Sequence, residues 1–221
     1  NATGLIPQDA GLQFPSASRF ELADICKPNS DGGVLTRSGT TEVVSSLTRA
    51  GEAVAHHLAM GTFVVIQAGS DYARQCLREY HMLPDKTGQY GALYRPTHMI
   101  GLELGVSIAS VALLGEPTGQ PMCFSSDVVA IAKRDLKIGE LLDGEGGHCV
   151  FGRQMPSEKS LSARTVPLGL SAGMRLVRNV ASGQMLCRDD VDVGTPDEAS
   201  RARDEMVSAF APPKIPPGAE K

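Results

Sequence analysis

The chain has 221 residues, of which 42% are hydrophobic and 21% are charged, and its formal net charge is −4. That length suffices to bury a core without disulfides or metal ions, and the scattered Lys and Arg residues argue against a nucleic-acid-binding surface. The five cysteines are widely spaced with no Cys-x-x-Cys pair, which indicates reduced thiols in the cytoplasm rather than a disulfide framework or a zinc site. No segment approaches the roughly 20 apolar residues of a bilayer span, so we expect a soluble cytoplasmic protein without membrane or nucleic-acid partners.

The first half of the chain predicts a mixture of helices and strands. Residues 1–40 are rich in Gly, Pro, Ser and Asp, which predicts loops, and residues 41–60 leave helix and strand both open. The β-branched run at 62–66 predicts a strand, and Ser70 and Asp71 are suitable caps for a helix that runs to about residue 82. Residues 93–96 predict a strand end or a turn, because a proline restricts the residue before it to extended conformations.

Two further patterns complete the chain. Residues 99–114 are apolar and predict a buried helix, either in a core or at a subunit interface. After residue 121, short apolar runs separated by Gly, Asp and Pro predict a small all-β domain. Within it, residues 134–142 align with 178–186 at a constant offset of 44 positions, which suggests two similar hairpins in one domain. The charged, proline-rich end beyond residue 195 predicts a flexible tail.

Several motifs together carry a resemblance to a known family. They are Asn-Ala-Thr-Gly-Leu at 1–5, Lys-Pro at 27–28 with Asp-Gly-Gly-Val-Leu at 31–35, Arg-Ser-Gly at 37–39, Leu-Tyr-Arg-Pro-Thr-His at 93–98 and Ala-Lys-Arg-Asp-Leu at 132–136. Their order and spacing resemble homoserine-dehydrogenase-like proteins with a terminal SAF, or β-clip, domain, over nearly the whole chain up to about Val193. That family includes deoxyxylulose-phosphate-reductoisomerase-like enzymes, which make methylerythritol phosphate, an isoprenoid precursor, using NADPH.

The resemblance implies an α+β architecture in three parts. Residues 1–121 would form a mixed α/β substrate (catalytic) and oligomerisation domain, residues 122–194 a small all-β SAF domain and residues 195–221 the tail. A Rossmann domain would lie outside this chain, because no G-x-G-x-x-G motif follows a strand here. Family habit also favours a homo-oligomer, with a homodimer as the expected form.

The same resemblance assigns the cofactor contacts. Asn1, Ala2, Thr3 and Gly4 would occupy the segment between nicotinamide and substrate, where homoserine dehydrogenases have an Asn-Gly-Thr turn. Ala2 departs from that glycine, which argues against homoserine itself. An isomerisation step would also call for a divalent metal, whose ligands the sequence does not identify.

Arg95 is the strongest candidate for binding an anionic substrate group. Pro96 limits the backbone beside its guanidinium, and Tyr94 and His98 are candidate proton donors. The structural alternative is a strand-edge turn in which Arg95 pairs with an acid such as Glu103 and Tyr94 packs on the core.

Two further groups have competing interpretations. Arg37 and Ser38 follow the glycine loop at 31–33, where backbone N–H groups can approach an anion, or the segment is a turn and a helix cap. Lys133 follows the apolar run 128–132, where burial would lower its pKa and suit it to acid–base work, although most lysines at strand ends are solvated. Lys27 has the same two interpretations.

We therefore expect delivery of an NADPH hydride to the carbonyl of a small phosphorylated, sugar-like substrate. Arg95, Arg37 and Lys133 would hold its anionic group and developing oxyanion. Deoxyxylulose-phosphate reductoisomerisation is the leading specific reaction. The alternatives are an oxidoreductase for an amino-acid semialdehyde or another hydroxy-aldehyde, and a non-catalytic SAF module that binds sugars or acids.

Overall fold

The computed structural model of the chain describes residues 1–97, 101 and 103–210. They divide into two units: an inserted unit, Gln13–Gln120, and a flanking unit made of Asn1–Leu12 and the residues from Pro121 onward. The division at Pro121 falls beside the predicted domain boundary, but it groups the first twelve residues with the carboxyl-terminal part. Helices and strands are both present, so the α+β class is confirmed. No helix in the described part of the chain is long and apolar enough to cross a bilayer.

The inserted unit is built around a three-stranded antiparallel sheet with the strand order β1-β3-β2. Its elements, in chain order, are α1 (Leu22–Ile25), β1 (Thr62–Gln67), α2 (Asp71–Glu79), β2 (Leu83–Pro84), β3 (Tyr90–Arg95) and α3 (Leu104–Ala109). Strands β1 and β3 pair along their full length, from Thr62 opposite Arg95 to Gln67 opposite Tyr90.

Local sequence explains strand β1 and helix α2. The β-branched run forms β1 as predicted, and alternate residues Phe63 and Val65 pack on the core of the unit while Val64 faces outward. Helix α2 begins where predicted, because the Ser70 hydroxyl accepts a hydrogen bond from Ala73 N at 3.1 Å. It ends at Glu79, about three residues earlier than the sequence suggested.

The apolar segment after β3 is helical but not buried. Helix α3 continues into a π-helical turn, Ser110–Leu114. Its large apolar side chains are exposed, with Leu113 at 81% and Val106 at 67%. Core burial is therefore wrong for residues 104–114, and the subunit-interface alternative stays a prediction. The start of the predicted helix at residue 99 lies outside the described residues.

The flanking unit contains short strands and two helices. In chain order they are β4 (Ser126–Ala132), β5 (Val150–Pro156), α4 (Ser157–Ser162), β6 (Arg175–Leu176), β7 (Val191–Asp192) and α5 (Glu198–Ala209). Strand β4 pairs antiparallel with β5, and β6 with β7. Fully buried Val150, Leu176 and Leu186 contribute to one apolar core.

The internal repeat of this unit is a structural pseudo-two-fold. Leu136 and Val180, which are equivalent at the offset of 44, pair with each other through N–H to O bonds of 2.8 and 2.9 Å. The glycines of the two turns behave alike: Gly139 N donates to Leu176 O at 2.7 Å, and Gly183 N donates to Ala132 O at 2.8 Å. Backbone groups of each copy hydrogen-bond to the equivalent part of the other copy. The two hairpins therefore belong to one domain, as the repeat suggested.

Part of the predicted tail forms a helix. Twelve residues form α5, and the Asp197 side chain caps it by accepting a hydrogen bond from Ser200 N at 2.8 Å. Arg203 on α5 donates to the buried Asp127 of β4 at 2.6 Å and lies over the Phe124 ring. The sequence did not predict this helix, and the flexibility of the tail stays a prediction.

Candidate active site

A buried ion pair is the strongest chemical feature of the inserted unit. Lys27 Nζ lies 2.7 Å from Asp85 Oδ2, and the two side chains are 7% and 0% exposed. Asp85 opens the turn after β2, in which Gly88 N donates to Asp85 O at 3.0 Å. Aspartate suits the first position of such a turn because its carboxylate accepts nearby donors, here Thr87 Oγ1 at 2.8 Å and Tyr90 N at 3.0 Å. The turn thus presents a fixed carboxylate to the lysine.

The environment keeps Asp85 ionised. Burial alone would raise the pKa of its carboxyl, but the hydrogen bonds from Lys27, Tyr90 N and Thr87, together with the Lys27 charge, lower that pKa to about 2. Asp85 is therefore negative at neutral pH. Lys27 makes one hydrogen bond with its ammonium among the described residues, and a second carboxylate, that of Asp24, lies 3.9 Å away. An ammonium has three N–H donors, so Lys27 retains donor capacity for a substrate oxygen.

Tyr90, the first residue of β3, extends this cluster. Its hydroxyl donates to Asp31 Oδ2, and its ring centroid lies 5.7 Å from Lys27 Nζ. Burial and then the Asp31 carboxylate raise the pKa of Tyr90 to about 12, so the phenol stays protonated. Lys27, Asp85, Tyr90 and Asp31 form what we call the lysine cluster. The sequence singled out Lys27 alone.

The glycine loop that precedes Arg37 packs against Lys27. A Cβ atom at Gly33 would lie 2.1 Å from Lys27 O and 2.6 Å from Lys27 Cγ, so no larger residue fits there without a shift. Gly32 N and Gly33 N donate inside the loop, to Asn29 O at 3.1 Å and Pro28 O at 3.0 Å. These N–H groups are therefore already used within the turn, which agrees with the turn interpretation, and the loop packs against Lys27.

Arg37 and Ser38 remain candidates for anion binding. Arg37 is half-buried and Ser38 is exposed. No salt bridge to Arg37 occurs within the residues that the structure describes. Its proposed role in substrate binding stays a prediction.

The Tyr94–Arg95 segment adopts the structural alternative. Successive residues of β3 point to opposite faces, so Tyr94 packs on the core beside Arg19, whose guanidinium lies 5.6 Å from the ring centroid. Arg95 points outward, is 66% exposed and pairs with Glu103. The two side chains therefore do not converge on one ligand. His98 lies outside the described residues.

Lys133 adopts the solvated one of its two alternatives. It lies at the end of β4 in the flanking unit, is exposed, and donates to Gly147 O at 2.5 Å. It follows Ala132, the last residue of the strand, which is buried. The argument from burial therefore applies to Lys27 and not to Lys133.

The first four residues belong to the flanking unit. The Asn1 side chain is occupied structurally: its Oδ1 accepts from Ser125 N at 2.9 Å and Ser126 N at 3.0 Å. Ala2, Thr3 and Gly4 are exposed. Their contact with a nicotinamide stays a prediction, and no glycine-rich pyrophosphate motif follows a strand in this sequence.

The surroundings of Cys26, Cys149 and Cys187 raise the pKa of their thiols. All five cysteines are free, and burial followed by the Glu42 charge raises the pKa of Cys26 to about 12. Within residues 1–97, 101 and 103–210, no group of three or more His, Cys, Asp or Glu side chains is arranged to hold a metal ion.

Comparison with known proteins assigns the enzyme class. Residues 1–104 match the family model described as "Oxidoreductase DRL, catalytic domain", and the match includes the whole lysine cluster. A search of curated proteins found no match to the chain. Residues 1–104 therefore correspond to an oxidoreductase catalytic domain, and this match supports an NAD(P)-dependent oxidoreductase as the enzyme.

Proposed function

We propose that the chain supplies the substrate side of an NADPH-dependent enzyme acting on a small phosphorylated, sugar-like carbonyl compound, with reductoisomerisation of 1-deoxy-D-xylulose 5-phosphate as the specific reaction. The observation that carries the proposal is the buried Lys27–Asp85 pair inside the matched catalytic domain. Buried charges are costly unless paired, and such pairs concentrate at functional sites. In this proposal a Rossmann-type domain outside these residues binds the pyrophosphate, and residues from Pro121 onward form the SAF domain.

The lysine cluster suits the proton half of a carbonyl reduction. When bound, NADPH supplies the hydride that the carbonyl carbon receives and becomes NADP⁺, and the carbonyl oxygen takes a proton to give an alcohol. Lys27 donates a hydrogen bond and then this proton to that oxygen, and it is reprotonated from solvent. Asp85 stays ionised and holds the ammonium in place, and Gly33 allows the close approach of the loop to Lys27.

The phosphate would be bound by arginines of the inserted unit. Arg37 is the first choice because no carboxylate neutralises it among the described residues, and Arg95 is the second because Glu103 already pairs with it. Guanidinium groups bind phosphate oxygens through two parallel N–H donors. An isomerisation step would require a divalent metal, which the proposal leaves to groups other than the lysine cluster.

A second candidate is an oxidoreductase for an unphosphorylated substrate, such as an amino-acid semialdehyde or another hydroxy-aldehyde. The Arg95–Glu103 pair favours it, since that pair leaves less positive charge for a phosphate. A non-catalytic SAF-type binding module is the alternative from another class.

Steady-state assays of the full-length protein distinguish these functions. NADPH oxidation is followed with 1-deoxy-D-xylulose 5-phosphate, its unphosphorylated analogue and an amino-acid semialdehyde. The proposal predicts turnover of the phosphorylated compound, and Arg37→Gln and Arg95→Ala should each raise its KM by about 10-fold or more, the size of a lost charged hydrogen bond. Equal effects on the neutral analogue would remove both arginines from phosphate binding. Turnover of only unphosphorylated compounds would select the second candidate, and the absence of NADPH binding would leave the binding module.

A further inference from the structure

The flanking unit contains a second polar site that the proposed reaction does not use. A cavity of about 260 Å³ lies between α4, the 3₁₀ turn Arg188–Asp190 and α5. Three arginines and two hydroxyl side chains line it: Arg164, Arg188, Arg203, Ser160 and Thr165. Asp204 is the one acid among the lining residues. Guanidinium groups outnumber carboxylates three to one among the lining side chains, which favours an anionic ligand, although Asp127 and Asp189 outside the lining pair with Arg203 and Arg164.

The back of the cavity is rigid and already hydrogen-bonded. Arg203 is 16% exposed, donates to Asp127 Oδ2 at 2.6 Å, and its guanidinium lies 4.5 Å from the Phe124 ring centroid. The Ser160 hydroxyl donates to the same carboxylate and lies 2.8 Å from Thr165 Oγ1. Asp127 thus fixes Arg203 and Ser160 in orientations that need no reorganisation when a ligand enters.

The front of the cavity contains the exchangeable charges. Arg188 NH2 lies 3.7 Å from Asp204 Oδ1, which is an ion pair too long for a hydrogen bond. Arg164 NH1 lies 3.1 Å from Asp189 Oδ1, and both partners are about 60% exposed. Exposed pairs of this kind contribute little stability, so an incoming anion can take the place of the aspartates at low cost.

We propose that this cavity binds a small hydroxylated anion that carries a phosphate or carboxylate group. Arg164 and Arg188 bind the anionic oxygens, and Ser160, Thr165 and Arg203 face the hydroxyl groups. Asp204 is the internal carboxylate that the anion displaces from Arg188. The apolar lining residues Leu161, Pro167 and Val207 contact the carbon skeleton. Because Arg203 and Asp204 belong to α5, occupancy also holds that helix against the unit.

Calorimetric titration of the full-length chain tests this assignment. Glycerol 3-phosphate and glycerate present the two anionic groups on one three-carbon skeleton, and glycerol is the neutral control. We expect either or both anions to bind and glycerol not to bind, and the tighter anion identifies the group. No heat with either anion at millimolar concentration overturns the proposal.

Substitutions that should change the affinity for the anion in opposite directions give a sharper test. Arg188→Gln and Arg164→Gln should each weaken binding of the anion by about 10-fold or more, whereas Asp204→Asn should strengthen it by removing the competing carboxylate. Arg201→Gln is the matched control. It also removes one positive charge, but from a residue of α5 that does not line the cavity. Because the substituted side chains are exposed, we expect the variants to fold, and the melting temperature of each variant checks this.

A third comparison separates this cavity from the proposed substrate site. The double variant Arg37→Gln/Arg95→Gln alters the inserted unit alone and should bind the anion as the natural chain does. If this double variant loses binding while Arg188→Gln retains it, the anion occupies the inserted unit and the inference is overturned. Equal weakening by Arg201→Gln and Arg188→Gln would also overturn it, because the effect would then be one of net charge.

Discussion

Replacing Asp85 with asparagine tests the buried ion pair through stability. Asp85→Asn keeps the shape of the side chain but leaves Lys27 at 7% exposure opposite a neutral amide. Since one pKa unit corresponds to about 1.4 kcal/mol, the fall of the Asp85 pKa from 3.8 to about 2 contributes roughly 2 kcal/mol of unfolding free energy at neutral pH. We therefore expect Asp85→Asn to lower the unfolding free energy at pH 7 by at least about 2 kcal/mol, because removing one partner of a buried pair also leaves the other charge uncompensated.

The pH dependence gives the sign of this effect. A carboxyl whose pKa is lowered by folding stabilises the native state above its unfolded pKa, here near 3.8, and that stabilisation is lost as the pH falls through about 2. The difference between the natural chain and Asp85→Asn should therefore shrink as the pH is lowered from about 5 toward 2.

The chain offers a selective probe for the measurement. It has no Trp, and its four tyrosines, at positions 72, 80, 90 and 94, all lie in the inserted unit. Urea unfolding followed by tyrosine fluorescence thus reports on the unit that contains Asp85. Asp71→Asn is the matched control, since its partner Arg74 is exposed and the pair should contribute less than about 0.5 kcal/mol. Equal effects of the two substitutions at pH 7, or a difference that does not change between pH 5 and 2, would refute the reasoning.

Two other predictions concern glycines. Gly33→Ala should lower the unfolding free energy of the inserted unit by about 1–3 kcal/mol because the added Cβ clashes with Lys27, and the same tyrosine fluorescence measures this. Gly69→Ala is the control, since it has open space around it and should have a smaller effect. Equal effects of the two substitutions would contradict the close packing at Gly33. Gly139→Ala and Gly183→Ala should each destabilise the flanking unit by about 1–2 kcal/mol, because both have φ near +80° and nothing within 4 Å of an added Cβ. Far-ultraviolet circular dichroism measures this, with Gly169→Ala as control, and clearly unequal costs at 139 and 183 would argue against the pseudo-two-fold.

Features with short-range signals were predictable from sequence. The β-branched run and the Ser70 cap depend on neighbouring residues, and both appear where expected. The offset of 44 predicted two similar hairpins, although the exchange of hydrogen bonds between them required the structure. The helix at 104–114 was predicted in type but not in exposure, because an apolar sequence does not reveal whether a partner covers it.

The lysine cluster shows where sequence reasoning stops. Lys27 and Asp85 are 58 positions apart, and no local pattern links a lysine before a proline to an aspartate in a later turn. For the same reason Lys133 and Lys27 could not be ranked from the sequence alone, whereas burial separates them in the structure. The Arg95–Glu103 pair was foreseen as an alternative, because Glu103 is an acid close to Arg95 in the sequence.

The turnover number of Lys27→Met in the full-length enzyme tests the central claim most directly. With NADPH and the phosphorylated substrate saturating, we predict that kcat falls by about 100-fold or more, the contribution of a positioned acid. Lys86→Met, at an exposed lysine next to Asp85, should leave kcat unchanged, and tyrosine fluorescence should show both variants folded. A kcat for folded Lys27→Met within about twofold of the value for Lys86→Met would contradict the assignment of proton donation to the buried lysine.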